Sequence, residues 1–359
     1  MDDPYLYPGT EVLRNKGNKR SLNELREWES EKTRRRMIEL RVKPLPGKFD
    51  LPHLQAIHKY IFQDVYPWAG KLRTINAPKL DLHGRWATAT RFTDFRAFPT
   101  EAPAVFARLA KDGHFQGVSR EVFLDKGAQL LADINHLHCF REGNGRAQKC
   151  FLEYLARHAG YSLDFSLVSR ERMIAASSAA ESKDIAPMRH ILDDISAPTK
   201  RAQLGKAIAF FEQTGYKKWM DMELACVQPG TAYSGVFVDR GGNDMLFHDE
   251  RQGIWIGHYQ DVGRGLKPGE HFSYTALSET ERWERTSVEM IKTDLASGIA
   301  PEQIVNTLAH WQSERGDKGF FRGLVERAMT PEQKTQWHHD KTVEMPMVAI
   351  KQTPPHRPR

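Results

Sequence analysis

The segment His138-Cys139-Phe140-Arg141-Glu142-Gly143-Asn144-Gly145-Arg146 constrains this chain more than any other. It puts an imidazole, a carboxylate, two glycines, an amide and two guanidinium groups into one short stretch. Glycines let backbone N–H groups approach an anion closely. A helix starting near Gly145 would add positive partial charge at the same point. Glu142 is a candidate ligand for a divalent cation that bridges phosphate oxygens. Asn144 is a candidate donor to an oxygen gaining charge, and His138 a candidate base near neutral pH. The flanks predict a helix–loop–helix frame. Upstream, Leu124, Ala128, Leu131 and Ile134 recur at helical spacing behind Ser119, a good cap. Downstream, Ala147, Cys150, Phe151, Tyr154 and Leu155 form a second apolar stripe, and Gly160 stands where a helix would stop.

These residues resemble the signature of the Fic family, HxFx(D/E)GN(G/K)R followed after two residues by a second Arg. The agreement covers His138, Phe140, Glu142, Gly143, Asn144, Gly145 and Arg146. Fic proteins transfer AMP from ATP to a hydroxyl of a target protein and release pyrophosphate. The resemblance therefore implies ATP as co-substrate and Mg²⁺ as cofactor. It implies His138 as base, Glu142 as Mg²⁺ ligand, and Gly143, Asn144 and Gly145 on the phosphates. Arg146 would hold the phosphate tail, and Phe140 would anchor the loop. Gly145 favours nucleotidyl over phosphoryl transfer, because the kinase-like branch of the family carries Lys there. Two positions depart from the pattern. Cys139 replaces a frequent Pro, and Lys149 replaces the second Arg. Lys keeps the charge but lacks the planar fork that grips phosphate bidentately.

The resemblance extends over roughly residues 1–197. The stretch Phe62-Gln63-Asp64-Val65-Tyr66-Pro67-Trp68-Ala69-Gly70, then Leu72-Arg73-Thr74, is similar to Fic domains. It implies a β-hairpin flap near residues 71–92 that pairs with an extended piece of the target protein. Ile75, Leu80, Leu82, Trp86 and Phe92 are its apolar candidates. Many Fic proteins carry an inhibitory (S/T)xxxE(G/N) motif. The only Glu followed by Gly or Asn here is Glu142 itself. The expectation is a toxin-like enzyme whose inhibitory glutamate comes in trans from an antitoxin, with an unrestrained effector as the alternative. Other readings are a Fic-fold transferase with another nucleotide or phosphate-linked donor, or a plasmid-associated binding protein with a weakly active Fic part.

The fold class expected is mainly α, a Fic-type helical domain with a small hairpin flap, then a small β-module and C-terminal helices. The proposed divisions are 1–197 (catalytic), 198–224 (helical linker), 225–276 (β-module), 277–345 (helical) and 346–359 (disordered tail). Turns at Pro229-Gly230, Gly241-Gly242 and Pro268-Gly269 break short apolar runs at Tyr233–Val238, Met245–His248, Ile254–Tyr259 and Glu270–Tyr274. No run of ~18 apolar residues predicts a membrane span. The start of the chain does not read as a secretory signal. Three cysteines fit a reducing compartment, so a cytoplasmic protein or translocated effector is expected. The net charge of +6 selects no partner, and nucleic acid is not indicated.

Other features read as ordinary structure. Arg34, Arg35 and Arg36 lie on a solvated helix face behind the capping box Ser21-Leu22-Asn23-Glu24. His136-x-His138 lacks further ligands at metal spacing. His338-His339-Asp340 reads as a solvated tail turn. Gly263-Arg264-Gly265 fits neither a dinucleotide fingerprint nor a P-loop.

Overall fold

Apolar side chains recurring every three to four residues build most of this protein as helices. The computed structural model describes residues 3–76, 92–250 and 253–343. Two compact units form. One comprises 1–227 with 233–273, the other 228–232 with 274–359. Among the described residues no helix is long and apolar enough to cross a membrane.

The first unit begins with α1 (Leu22–Val42) and α2 (Leu51–Phe62). Asp50 caps α2 by accepting from the His53 N–H at 2.9 Å, and Pro52 occupies the first turn. Its buried face carries Leu54, Ile57, Ile61 and Phe62. Helix α3 (Phe98–Lys111) then leads to the central pair α4 (Arg120–Leu137) and α5 (Asn144–His158). Ser119 caps α4, as its sequence position suggests. Ser169 does the same for α6 (Arg170–Glu181). Helices α7 (Ala186–Ser196) and α8 (Pro198–Gln213) complete the helical body. The capping box expected at Ser21 is absent. Ser21 stands at the N-cap of α1 without a side-chain bond, and that first turn is exposed, where water can satisfy the free N–H groups.

A five-stranded sheet follows, with spatial order β1-β4-β3-β2-β5. The strands are β1 (Leu224–Cys226), β2 (Ala232–Gly241), β3 (Asp244–His248), β4 (Ile254–His258) and β5 (His271–Thr275). Strand β3 is antiparallel to β2 and β4, whereas β1 runs parallel to β4. Gly242, at φ +66°, turns the β2–β3 hairpin. The four apolar runs foreseen correspond to β2–β5. The three-residue β1 gave no alternation to detect. Leu204, Ala207 and Phe211 of α8 share one apolar core with Leu224, Ile254 and Ile256 of the sheet.

Where α6, α7, α8 and β1 meet lies a fully buried carboxylate, Asp194. Arg172 donates to it at 2.7 Å and Lys200 at 3.0 Å, and His190 Nε2 lies 3.3 Å away. The Cys226 N–H donates to it at 3.0 Å, and Arg172 also reaches the Leu224 carbonyl at 3.1 Å. Burial alone would raise this carboxyl. Arg172, His190 and Lys200 outweigh it and hold the group well below the usual carboxylate range.

The second unit packs α9 (Glu279–Ala296), α10 (Pro301–Trp311), α11 (Lys318–Ala328) and α12 (Pro331–Val343) around Ile291, Val305, Phe321, Leu324 and Val325. Ser278 and Glu281 form a reciprocal capping box on α9. His338-His339-Asp340, expected as a tail turn, belongs to α12 instead. Trp337 of that helix is buried in the same apolar core.

The Asp194 network makes a stability prediction. Removing one partner of a buried pair leaves the others unpaired, so Asp194→Asn should cost about 3–5 kcal/mol in urea unfolding at neutral pH. Because the folded carboxyl is depressed, its contribution is present above the unfolded value and disappears as pH falls through the folded one. The gap between the two proteins should therefore persist at pH 5. A difference under about 1 kcal/mol would show that the network does not join the sheet to the helices.

Candidate active site

Helix α4 ends because His138 turns left-handed, at φ 44° and ψ 57°. A non-glycine residue holds that conformation only where its surroundings enforce it. Arg73 does so here. Its guanidinium is almost wholly buried, and its Nε donates to the His138 carbonyl at 2.7 Å. The same group donates to Ile75 O at 2.8 Å and to the Thr93 carbonyl, and it stacks on the Phe98 ring. The Arg73 N–H donates to Cys139 O at 2.9 Å. The His138 imidazole stacks on Phe92, with ring centres 3.8 Å apart and planes 14° from parallel.

The loop beyond is closed by Asn144. Its Oδ1 accepts from the Phe140 N–H at 2.9 Å, and its Nδ2 donates to the Phe140 carbonyl at 2.7 Å. Phe140 is buried against His58, with ring centres 3.8 Å apart. His58 ties this loop to the segment after α2. Its Nδ1 accepts from the Gly70 N–H at 2.9 Å, which fixes the proton on Nε2, and Nε2 donates to the Glu142 carbonyl at 2.9 Å. Burial, reinforced by nearby Arg146, lowers the His58 pKa to about 4.

Gly143 is the N-cap of α5 at φ +84°, and a Cβ there would lie 2.2 Å from the Phe62 ring. Only glycine fits. The Ala147 N–H closes the first turn on Gly143 O at 3.2 Å. The N–H groups of Asn144, Gly145 and Arg146 precede that bond and have no place in the helical ladder. A Cβ at Gly145 would meet nothing within 4 Å, so the backbone is open at that point.

Glu142 lies at the mouth of the loop with its side chain about half exposed. Oε1 accepts from the Gly143 N–H at 2.9 Å and lies 3.5 Å from Arg146. The Arg146 guanidinium sits over the Phe62 ring and pairs with Glu29 of α1 at 2.5 Å. Lys149, one turn on, packs over Phe165. Burial lowers its pKa against the pull of Glu153. Arg141 turns to Asp3, 2.8 Å away. Cys139 is buried and its thiol is pushed up to about 12 by that burial, which leaves it an inert filler. The helix–loop–helix thus brings His138, Phe140, Glu142, Gly143, Asn144, Gly145 and Arg146 into one turn. Of the apolar residues expected in the flap, Leu80, Leu82 and Trp86 lie outside the described residues. His58 and Glu29 went unremarked in the sequence, and Arg73 entered only as part of the family-like stretch, with no role. Each acts across a long stretch of chain, which local spacing cannot reveal.

Residues 48–156 match the profile of the Fic/DOC family. A Sinorhizobium fredii protein named "Probable protein adenylyltransferase y4lH" is 40% identical over 191 residues, covering 52% of this chain and 93% of that protein. The chain belongs to the Fic/DOC family. A Bartonella henselae relative of the family, named protein adenylyltransferase, is 34% identical over 324 residues. That match covers 84% of this Fic chain but 58% of the relative's length. The solved structure of the type IV secretion system effector protein BepA agrees with a TM-score of 0.69 at 33% identity, covering 76% of this chain and 96% of that one.

Two predictions follow from this geometry. Gly143→Ala combines a strained φ with a ring clash and should destabilise by about 3 kcal/mol, whereas Gly145→Ala should stay within about 0.5 kcal/mol. Thermal melts of the two variants compare them directly. Equal melting points would mean the loop tolerates a Cβ at its cap. For His58, the unfolded chain gains a proton near pH 6.5 while the folded site resists down to about 4. Stability should therefore fall by about 3 kcal/mol as pH drops through that window. His58→Gln should flatten that slope in urea titrations, and an unchanged slope would assign the loss to other groups.

Proposed function

We propose that this Fic/DOC protein is a protein adenylyltransferase, moving AMP from ATP to a Ser, Thr or Tyr hydroxyl of a target protein. The observation that carries it is the loop itself: His138 ends α4, and α5 starts from Gly143 as cap with no side chain at Gly145. The names of the 34% and 40% identical relatives support the same activity.

In this reading His138 takes the hydroxyl proton as the oxygen attacks the α-phosphorus, and pyrophosphate leaves. The opened α5 N-terminus offers N–H groups and a positive end dipole to the phosphate oxygens. Gly143 and Gly145 let those oxygens approach the backbone. Asn144 holds the turn in shape through both polar atoms of its amide, which is a more structural part than a direct phosphate contact. Phe140 anchors the turn from beneath. Arg146 and Lys149 supply positive charge for the phosphate tail. Glu142 fits a Mg²⁺ ligand, since its carboxylate is half exposed at the loop mouth and only Oε1 is engaged among the described residues. A bound Mg²⁺ would neutralise phosphate charge there. The target segment would pair with the flap at residues 71–92. An antitoxin would supply an inhibitory glutamate in trans, since the chain carries no (S/T)xxxE(G/N) motif. The similarity to BepA, a type IV secretion system effector protein, supports a translocated role over a resident one.

Incubation of this protein with cell lysate and α-labelled ATP should label protein, while γ-labelled ATP should not. His138→Ala should cut labelling by at least ~10²-fold with ATP binding retained. Transfer of γ-label would make the reaction phosphorylation. Undiminished labelling by the His138 variant would remove the histidine from its role.

A further inference from the structure

Arg146 is the one arginine of the loop placed beside the open end of α5, and two residues of α1 hold it. Glu29 and Thr33 stand one helical turn apart, on one face of that helix. Glu29 Oε1 is 2.5 Å from an Arg146 terminal nitrogen. The other terminal nitrogen donates to Thr33 Oγ1 at 3.3 Å. The Thr33 hydroxyl is itself oriented, because its proton goes to the Glu29 carbonyl at 2.8 Å. The guanidinium plane rests over Phe62, 4.6 Å from the ring centre. Glu29 is fixed in turn, since its second oxygen accepts from the Tyr66 hydroxyl. Tyr66 is fully buried and stacks on Trp68, with ring centres 4.3 Å apart. The Glu29 carboxylate is mostly enclosed, with 14% of the side chain exposed.

An unheld arginine side chain samples many rotamers, and fixing it on ligand binding costs affinity. Here that ordering is already built in. The bonds occupy one hydrogen on each terminal nitrogen and leave other donors of the five-proton fork for an anion. Glu142, 3.5 Å from the same guanidinium, keeps it near the loop mouth. We infer that Glu29, buttressed by Tyr66 and Thr33, is a positioning residue that presets Arg146 for the phosphates of the nucleotide. This rests on the proposed nucleotide-using function and assigns α1 a part in it. Competition is the opposite possibility: the same carboxylate would then withhold Arg146 from phosphate, and its loss would tighten binding.

Calorimetry on the full chain separates these outcomes, using ATP with Mg²⁺ and adenosine as probes. Glu29→Gln keeps the side-chain shape and removes the charge. It should raise the Kd for ATP at least tenfold and leave adenosine affinity within twofold. The loss should nearly vanish in an Arg146→Ala background, since the two residues act as one unit. Tyr66→Phe leaves the carboxylate in place and should give a smaller loss in the same direction. Equal loss for ATP and adenosine would mean that Glu29 supports folding alone. Tighter ATP binding by Glu29→Gln would overturn positioning in favour of restraint. Additive losses in the double variant would also overturn it. These binding results stand apart from the transfer reaction: a wild-type chain that binds ATP but labels no protein would sink adenylyl transfer and leave the positioning test intact.

Discussion

A single buried guanidinium decides the shape of this site. Arg73 reaches the His138 carbonyl at the end of α4 and the Thr93 carbonyl ahead of α3, and its burial lowers its own pKa from the usual arginine range. A buried cation of that kind persists only where its donors are matched. The matched acceptors are backbone carbonyls, so their positions are fixed with it. His138 is one of them, and its left-handed backbone follows. The imidazole then has few places to go, and Phe92 takes up one face of it. The rest of the loop inherits this start. Phe140 drops into the core, Asn144 ties its backbone, and Gly143 turns the chain into α5.

Much of this was legible in the sequence, and the limits have physical causes. Helices α2, α4 and α5 announce themselves by apolar spacing and by caps at Asp50 and Ser119. The sequence suggests a start of α5 near Gly145, whereas its cap is Gly143. Capping signals at Ser21 and Ser278 look alike on paper, each with a Glu three residues on. Only Ser278 forms the reciprocal bonds. An exposed first turn has water as an alternative partner, and pattern alone does not distinguish the two. Strand β1 is too short to alternate, and a parallel neighbour 30 residues on supplies its pairing. Glu29 and Arg146 are farther apart still, on α1 and α5. A glutamate in a charged helix looks like surface until the fold brings a buried phenol against it.

The helical body and the sheet share more than a chain connection. Asp194 collects donors from α6, α8 and β1 on one carboxylate, and the apolar core runs on from α8 into β4. Charges buried this deeply are costly unless each is met, so the arrangement tolerates little displacement. A sheet of short strands with one parallel pairing gains a fixed seat in this way. Cys226 adds a buried thiol at the same place, with its pKa raised well above the usual value by burial. It contributes packing and a backbone donor rather than reactivity.

Arg146 and Lys149, two cations of α5, are held in opposite ways, and this bears on the departure from the family pattern at Lys149. Arg146 is fixed by hydrogen bonds whose geometry leaves donors over. Lys149 lies against Phe165 in an apolar surround that lowers its pKa, with Glu153 one turn beyond. Glu153 is itself pushed up by burial and accepts from the Phe165 N–H. An ammonium so placed has already lost part of its hydration, and an approaching phosphate would restore a counter-charge to it. A guanidinium would keep its proton there at any working pH but would need a wider slot for its planar fork. Lys149 therefore suits the tight ground beside Phe165 and acts as a point charge. In the proposed nucleotide-using reaction, directional recognition would fall to Arg146 alone, and its orientation by α1 would then be the sharper constraint on how a phosphate chain can lie.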